Sequence, residues 1–315
     1  MRLVQQILTA SIFLFVLDRN YASEDIVSFE MLGDSVKILI GGQEVTEYFV
    51  RDPSGKIQRP YFANVKTIEG VPVTRRCPPG PNDRQDHATM HPGIWLAFGD
   101  INGVDFWRNK GRVEHVDFVH LPNSKRIAGT FTTRKRYLDN KNKEVCEETF
   151  SVKILAHQNF YVLQLDSIFS GSGQFSFGDQ EEMGLGLRVV SPLSEKNGGK
   201  VLVPTGFTTA KKFWGQPIAW CDFSGVVDKK KVGVSLFCSP QNPHQSWCHS
   251  RDYGLLVANC FGRNAMHQGE ESQVDVRPGQ SLRLQFAVLV HGNMDAEKIN
   301  SIYEQYCSSH GFSSP

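Results

Sequence analysis

A chain of 315 residues with 34 Lys and Arg against 33 Asp and Glu has a net charge of +1 and a pI near 7.6. That balance supplies no basic field to hold nucleic acid or an anionic membrane surface. Hydrophobic residues make up 40 % and include 21 Phe and 5 Trp, which suits a packed core and argues against global disorder.

Arg2 precedes an apolar run at 7–17 (ILTASIFLFVL), and a small-residue cleavage point follows near Ala22 or Ser23. The run has the length of a signal-peptide core and is too short to span a bilayer comfortably. Residues 1–22 are therefore expected to be a signal peptide, followed by one domain at 23–308 and a flexible tail at 309–315. The mature chain is expected to be exported, periplasmic or secreted, with no membrane insertion after cleavage. It holds seven Cys, so export permits disulfides but leaves at least one Cys unpaired within the chain.

Strands are predicted in chain order at 26–32, 35–40 and 44–50, Arg59–Phe62 leads into another, and turns fall at Gly41-Gly42 and Glu69-Gly70. A Pro-, Gly- and Arg-rich loop at 74–85 leads into the densest stretch, 86–107 (DHATMHPGIWLAFGDINGVDFW). There His87 and His91 lie four apart, so a helical turn would set both rings on one face before Pro92-Gly93 ends it. Trp95, Phe98, Phe106 and Trp107 add flat apolar surface. The stretch reads as a loop with a short strand folded over a concave site.

Further strands are predicted at 112–120, 127–138, 144–155, 160–168, 185–190, 200–203, 219–226, 233–238, 254–258 and 282–290. One helix is predicted at 295–307, with Asp295 as cap and Ile299, Ile302, Tyr303 and Tyr306 as a stripe against a sheet. Strands run evenly from end to end, so the predicted fold is all-β: one large antiparallel β-sandwich with a single C-terminal helix.

Three secondary constellations carry possible chemistry. The run 177–188 places Asp179, Glu181 and Glu182 ahead of a glycine-spaced strand bearing Arg188. Adjacent carboxylates can differ in pKa, which suits acid and base work. The run 214–222 sets Trp214 and Trp220 around a turn; such platforms stack on the apolar face of a sugar. The run 241–262 gathers His244, Trp247, His249, Arg251 and Asp252 in a loop entering a strand. His249 is a candidate acid or base, and Arg251 a holder of a carboxylate or hydroxyl.

In this order RPYF, HATMHPGIWLAFGDINGVDFW, EEMGLGLR, WGQPIAWCDFSG, NPHQSWCHSRDYG and ANCFG resemble an exported bacterial family that has carried the label "methane oxygenase PmoA". The resemblance covers nearly the whole mature chain. In that family the first histidine motif is similar to HHRGIW, so His91 matches more securely than His87. Methane oxidation does not follow from the label. The membrane-bound monooxygenase is built from transmembrane helices, and no apolar run of that length follows residue 22. One copper reading, with His87 and His91 as ligands, stays open as an alternative.

In architecture the pattern is similar to the galactose-mutarotase-like supersandwich, whose members act on or bind carbohydrates. That resemblance implies a histidine acid facing a glutamate base. His91 or His249 with Glu182 is the expected catalytic set. Arg59, His87, Trp95, Trp107, Arg188, Trp214 and Arg251 are the expected substrate-binding residues. A carbohydrate ligand is expected, with no metal and no cofactor. A non-catalytic carbohydrate-binding protein is the second reading.

Overall fold

The computed structural model describes residues 27–81 and 83–309. The expected signal peptide at 1–22 lies outside these residues, as does the expected tail apart from Ser309. Among the described residues no helix is long and apolar enough to cross a membrane.

Among the described residues eighteen strands form in chain order: β1 Val27–Met31, β2 Ser35–Ile40, β3 Gln43–Phe49, β4 Tyr61–Ala63, β5 Ile94–Phe98, β6 Arg112–Lys125, β7 Ala128–Leu138, β8 Glu144–Ala156 and β9 Phe160–Ser170. There follow β10 Phe175–Phe177, β11 Met183–Arg188, β12 Lys200–Leu202, β13 Trp220–Val227, β14 Lys230–Cys238, β15 Trp247–Arg251, β16 Leu255–Asn259, β17 Val274–Val276 and β18 Leu282–His291. A one-turn helix α1, Ala210–Phe213, interrupts them, and α2, Ala296–Ser309, ends them.

Two eight-stranded antiparallel sheets face each other. The first runs β1-β2-β3-β4-β5-β11-β16-β15, and the second β12-β13-β14-β18-β9-β8-β7-β6. Alternation explains the packing. On β8 every second residue from Cys146 to Ile154 turns inward, and the residues between them face out. Inward-facing Ile38, Ile40, Leu96 and Leu187 of the first sheet meet Phe150, Val152, Leu165 and Val288 of the second in one core. Both outer faces are also covered in part. β18 is apolar on both sides, and α2 lays Ile299, Ile302, Tyr303 and Tyr306 over its Ala287 and Leu289, where the helical stripe was expected. Outside the first sheet a separate cluster forms from Ile57, Tyr61, Trp95, Trp107, Leu255 and Val257.

Strand register sets what meets on that outer face, because residues directly opposite in an antiparallel pair point the same way. Trp95 pairs with Gly186, Gly186 with Val257, and Val257 with His249. One row over, Arg188 pairs with Leu255, and Leu255 with Arg251. His249 and Arg251 thus sit on a strand, where the sequence suggested a loop. Polar residues hide the alternation of β15: Ser250 faces inward with Cys248, and its hydroxyl donates to the Ala210 carbonyl at 2.7 Å.

Seven cysteines are free and six of them buried, as small core side chains; Cys77 is half-buried.

Candidate functional site

The 86–107 stretch builds a column of rings on the first sheet. His91 N–H donates to the His87 carbonyl at 2.9 Å, closing a single α-type turn. The two imidazoles then stack at 4.8 Å and 17°. His91 in turn stacks on Trp95 at 5.2 Å and 13°. Trp95 lies flat over Gly186, where a Cβ would come within 2.4 Å of the indole. Trp107 packs edge-on against Trp95 at 5.2 Å. His87, at the open end, is parallel to Tyr253 at 6.5 Å.

Three buried arginines pin this loop. Arg59 donates to the carbonyls of Met90 and Trp107 and to Asn109 Oδ1. Arg75 donates to the carbonyls of Arg84, Asp86, His87 and His91. Arg188 reaches both Asp86 carboxylate oxygens, at 3.0 and 3.2 Å, and faces His91 Nδ1 at 3.3 Å. Its guanidinium also lies 4.3 Å from the Tyr253 ring centroid, with Arg84 at 5.0 Å.

Burial, reinforced by the charges of Arg188, His87, Arg75 and Arg59, pushes His91 down to about 2, so the ring is neutral. Burial lowers Arg59 and Arg75 to about 10, and repulsion from Arg188 adds to the effect at Arg75. Asp86 shows the opposite balance. Burial opposes its charge, yet the His87 hydrogen bond and the Arg188 and Arg84 guanidiniums hold its carboxyl well below the usual range.

A second group lies across the sheet. Glu181 Oε1 accepts from Arg251 Nη2 at 2.9 Å and from the Trp214 indole at 3.2 Å. His249 Nδ1 stands 3.1 Å from the same oxygen, at ion-pair distance but off the hydrogen-bonding direction. The nearby His249 ring, then Arg251, outweigh burial and hold Glu181 at about 2. The Glu181 side chain is 36 % exposed and Arg251 38 %, so both reach solvent.

Tyr253, in the β15–β16 turn, joins the two groups. Burial raises its hydroxyl above the usual tyrosine range. Arg188 and Arg251 oppose that shift, and Asp86 and Glu182 add to it, so charges from both sides reach one phenol. An open groove of about 840 Å³ lies elsewhere, lined by Glu69, Gln158, Lys230, Lys231 and Lys298. Its Lys230 pairs with Glu69 at 2.6 Å in an exposed contact, and the aromatic and acid groups described above are not part of it.

One family model, described as a family of unknown function (DUF6807), matches residues 35–304. The chain belongs to this family. No curated protein matches it.

Among solved structures, this DUF6807 member is similar to a galactose 1-epimerase from Lactobacillus acidophilus, at 7 % identity and TM-score 0.41 over 85 % of this chain and 98 % of that one. A galactose mutarotase related enzyme from the same species is 11 % identical, with TM-score 0.36 over 85 % and 98 % of the two chains. A GH36 alpha-galactosidase from Geobacillus stearothermophilus is 11 % identical at TM-score 0.44, over 89 % of this chain and 42 % of that one. The two-sheet architecture rests on the strand pairing given above, and these similarities assign no residue a role. The matching family description carries no oxygenase label.

The structure brings some expected residues of this DUF6807 member together and separates others. His87, Trp214, His249 and Arg251 stand in the two groups joined at Tyr253. Glu182 does not face a histidine: its carboxylate pairs with Arg108. Both residues lie in the bend that precedes β11; Glu181 meets His249 while Glu182 meets Arg108. Asp179 takes a third task, accepting the backbone N–H groups of Asn264, Ala265 and Ser272.

His91 is not placed as an acid. It is 1 % exposed and neutral between two stacked rings. Trp95 and Trp107 are likewise buried, so neither presents an open ring face for a sugar to stack on. Arg59 and Arg188 are buried too and act on the loop rather than on an open surface. The His87 and His91 rings are stacked face to face, so their in-plane lone pairs do not converge on one copper ion, and no group of three or more His, Cys, Asp or Glu that could hold a metal occurs among the described residues.

Sequence reasoning passed over Asp86, Arg75, Tyr253 and the role of Glu181. Only Glu181 had a signal, as a neighbour of the acid chosen instead.

Proposed function

We propose that this chain is an exported protein that engages a carbohydrate on the outer face of its first sheet. The ligand lies beside Tyr253, against Trp214, Glu181 and Arg251. The observation that carries this reading is the meeting of the two dense loops at Tyr253. Half-buried aromatic faces there stand next to oriented, ionised hydrogen-bonding groups, the combination that recognises an apolar sugar face and its hydroxyls. Export is motivated by the signal-like segment at 1–22.

Binding is favoured over turnover. A general acid or base works best with a pKa near the working pH, and neither Glu181 nor His91, each held near 2, is so placed. The catalytic alternative rests on His249 beside Glu181.

A glycan array followed by calorimetry on the best ligand tests the proposal, with Tyr253→Ala and Glu181→Gln as variants. Tyr253→Ala is expected to weaken binding by roughly three- to tenfold. Glu181→Gln is expected to weaken it by roughly tenfold. An array on which the mature chain binds no sugar sinks the reading. Product formation that Glu181→Gln abolishes while binding persists replaces the binder with an enzyme.

A further inference from the structure

The outer face of the first sheet holds a set of donors with nothing to donate to. Besides His249 Nδ1, which stands beside Glu181, five buried side-chain nitrogens there have no hydrogen-bond partner within the protein: Arg59 Nε, Arg75 Nε, His91 Nε2, Trp95 Nε1 and Trp107 Nε1. They belong to one packed group. The three rings contact one another pairwise at 5.2, 5.2 and 6.1 Å, and the Arg59 guanidinium lies 6.0 Å from the Trp95 ring centroid. Arg75 is bonded to the His91 carbonyl.

All five are donors. Guanidinium and indole nitrogens only donate. The His91 tautomer follows from its neighbour: Arg188 Nη1 faces Nδ1 at 3.3 Å and can only donate, so Nδ1 accepts and Nε2 carries the hydrogen. No orphaned acceptor lies in the group. A buried donor left without an acceptor costs about 1–3 kcal/mol, and native proteins hold only a few such groups per hundred residues.

The charge has the same sense. Arg59, Arg75 and Arg188 are each at most 2 % exposed. Among the described residues Asp86 is the one carboxylate in ion-pair contact with any of the three, and Arg84 and His87 share it. Arg59 meets only carbonyls and an amide oxygen. Buried cations in this ratio are stabilised by a further negative group.

We infer that this layer binds an anion, a group that carries negative charge and only accepts hydrogen bonds. It enters past His87 and Tyr253, which close the open end of the ring column. The identity of that anion rests on the sugar reading above. If the face takes a carbohydrate, the anion is the carboxylate or sulfate of an acidic sugar; a free inorganic anion is the other source of the same chemistry.

Crystals of the mature chain grown in sodium bromide test the site directly. The expected result is an anomalous bromide peak within hydrogen-bonding distance of at least two of the five nitrogens. A map with no peak there overturns the inference. Trp107→Phe keeps a ring and removes one donor, and Trp95→Phe serves if that variant does not fold. Either is expected to weaken bromide binding by roughly tenfold or more, and unchanged affinity in a folded variant also overturns the site.

Calorimetry then separates the two sources. Galacturonate or glucuronate binding at least tenfold more tightly than galactose or glucose assigns the anion to an acidic sugar. Equal affinity for neutral and acidic sugars makes it a free-ion site and leaves the sugar reading standing. Bromide binding with no affinity for any sugar keeps the anion site and removes the sugar reading.

Discussion

At the scale of single residues, the four-residue spacing of His87 and His91 foretold that their rings share a face, and one backbone turn stacks them. What the rings do depends on surroundings that the spacing does not contain. His91 is neutral because burial and three arginines act on it, and those arginines come from positions 59, 75 and 188. Its folded pKa is depressed below its unfolded value near 6.5. The unfolded chain therefore binds more protons below that pH, so the stability from the neutral ring is complete above pH 6.5 and is lost as pH falls. The slope from this one group approaches roughly 1.4 kcal/mol per pH unit at most. Urea unfolding from pH 6.5 to 4.5 is expected to show a shallower loss for His91→Phe than for the natural chain. Equal slopes would mean that the ring is not held neutral by the fold.

Elements bring the next level of control. The strand β11 carries Gly186 under Trp95 because any side chain would occupy the space of the indole. Gly186→Ala is expected to cost about 1–3 kcal/mol by overpacking and to shift tryptophan emission. Gly173→Ala, which meets nothing within 4 Å, is the control and is expected to stay near neutral. Denaturant titration of both variants is the check; equal stability would show that the ring has room to move. A strand at 185–190 was legible from its pattern, and β11 spans Met183–Arg188. That its Gly186 makes a bed for a tryptophan 91 positions earlier was not, because only the β5–β11 pairing places Trp95 opposite Gly186. The strand β15 was misread for a related reason: a strand with polar residues on both sides loses the period-2 signal that marks a half-buried one.

Across the whole molecule, the two sheets enclose a polar group as well as an apolar core. Glu148 accepts from Lys135 Nζ at 3.2 Å, Tyr137 at 2.9 Å and Ser167 at 2.6 Å, and the Lys135 ammonium lies 3.7 Å from the Phe150 ring centroid. Burial pulls Lys135 below the usual lysine range, against the attraction of Glu148. Glu148→Leu leaves that cation unpaired and is expected to cost about 3–5 kcal/mol, while Lys135→Met with Glu148→Leu together recovers most of the loss. Equilibrium unfolding of the single and double variants measures this. If the single variant is as stable as the natural chain, the ion pair has no structural weight.

The sequence by itself determined the fold class, the order of most strands, the C-terminal helix with its buried stripe, and the two stretches where polar and aromatic residues concentrate. Those are local properties, written in periods of two and of 3.6 residues and in turn chemistry. Only the tertiary structure decided that the two stretches meet at Tyr253, that His249 faces Glu181 and not Glu182, and that His91, Trp95 and Trp107 lie beneath the surface. Each of these depends on sheet register between segments far apart in the chain, where a shift of one residue turns every side chain to the other face.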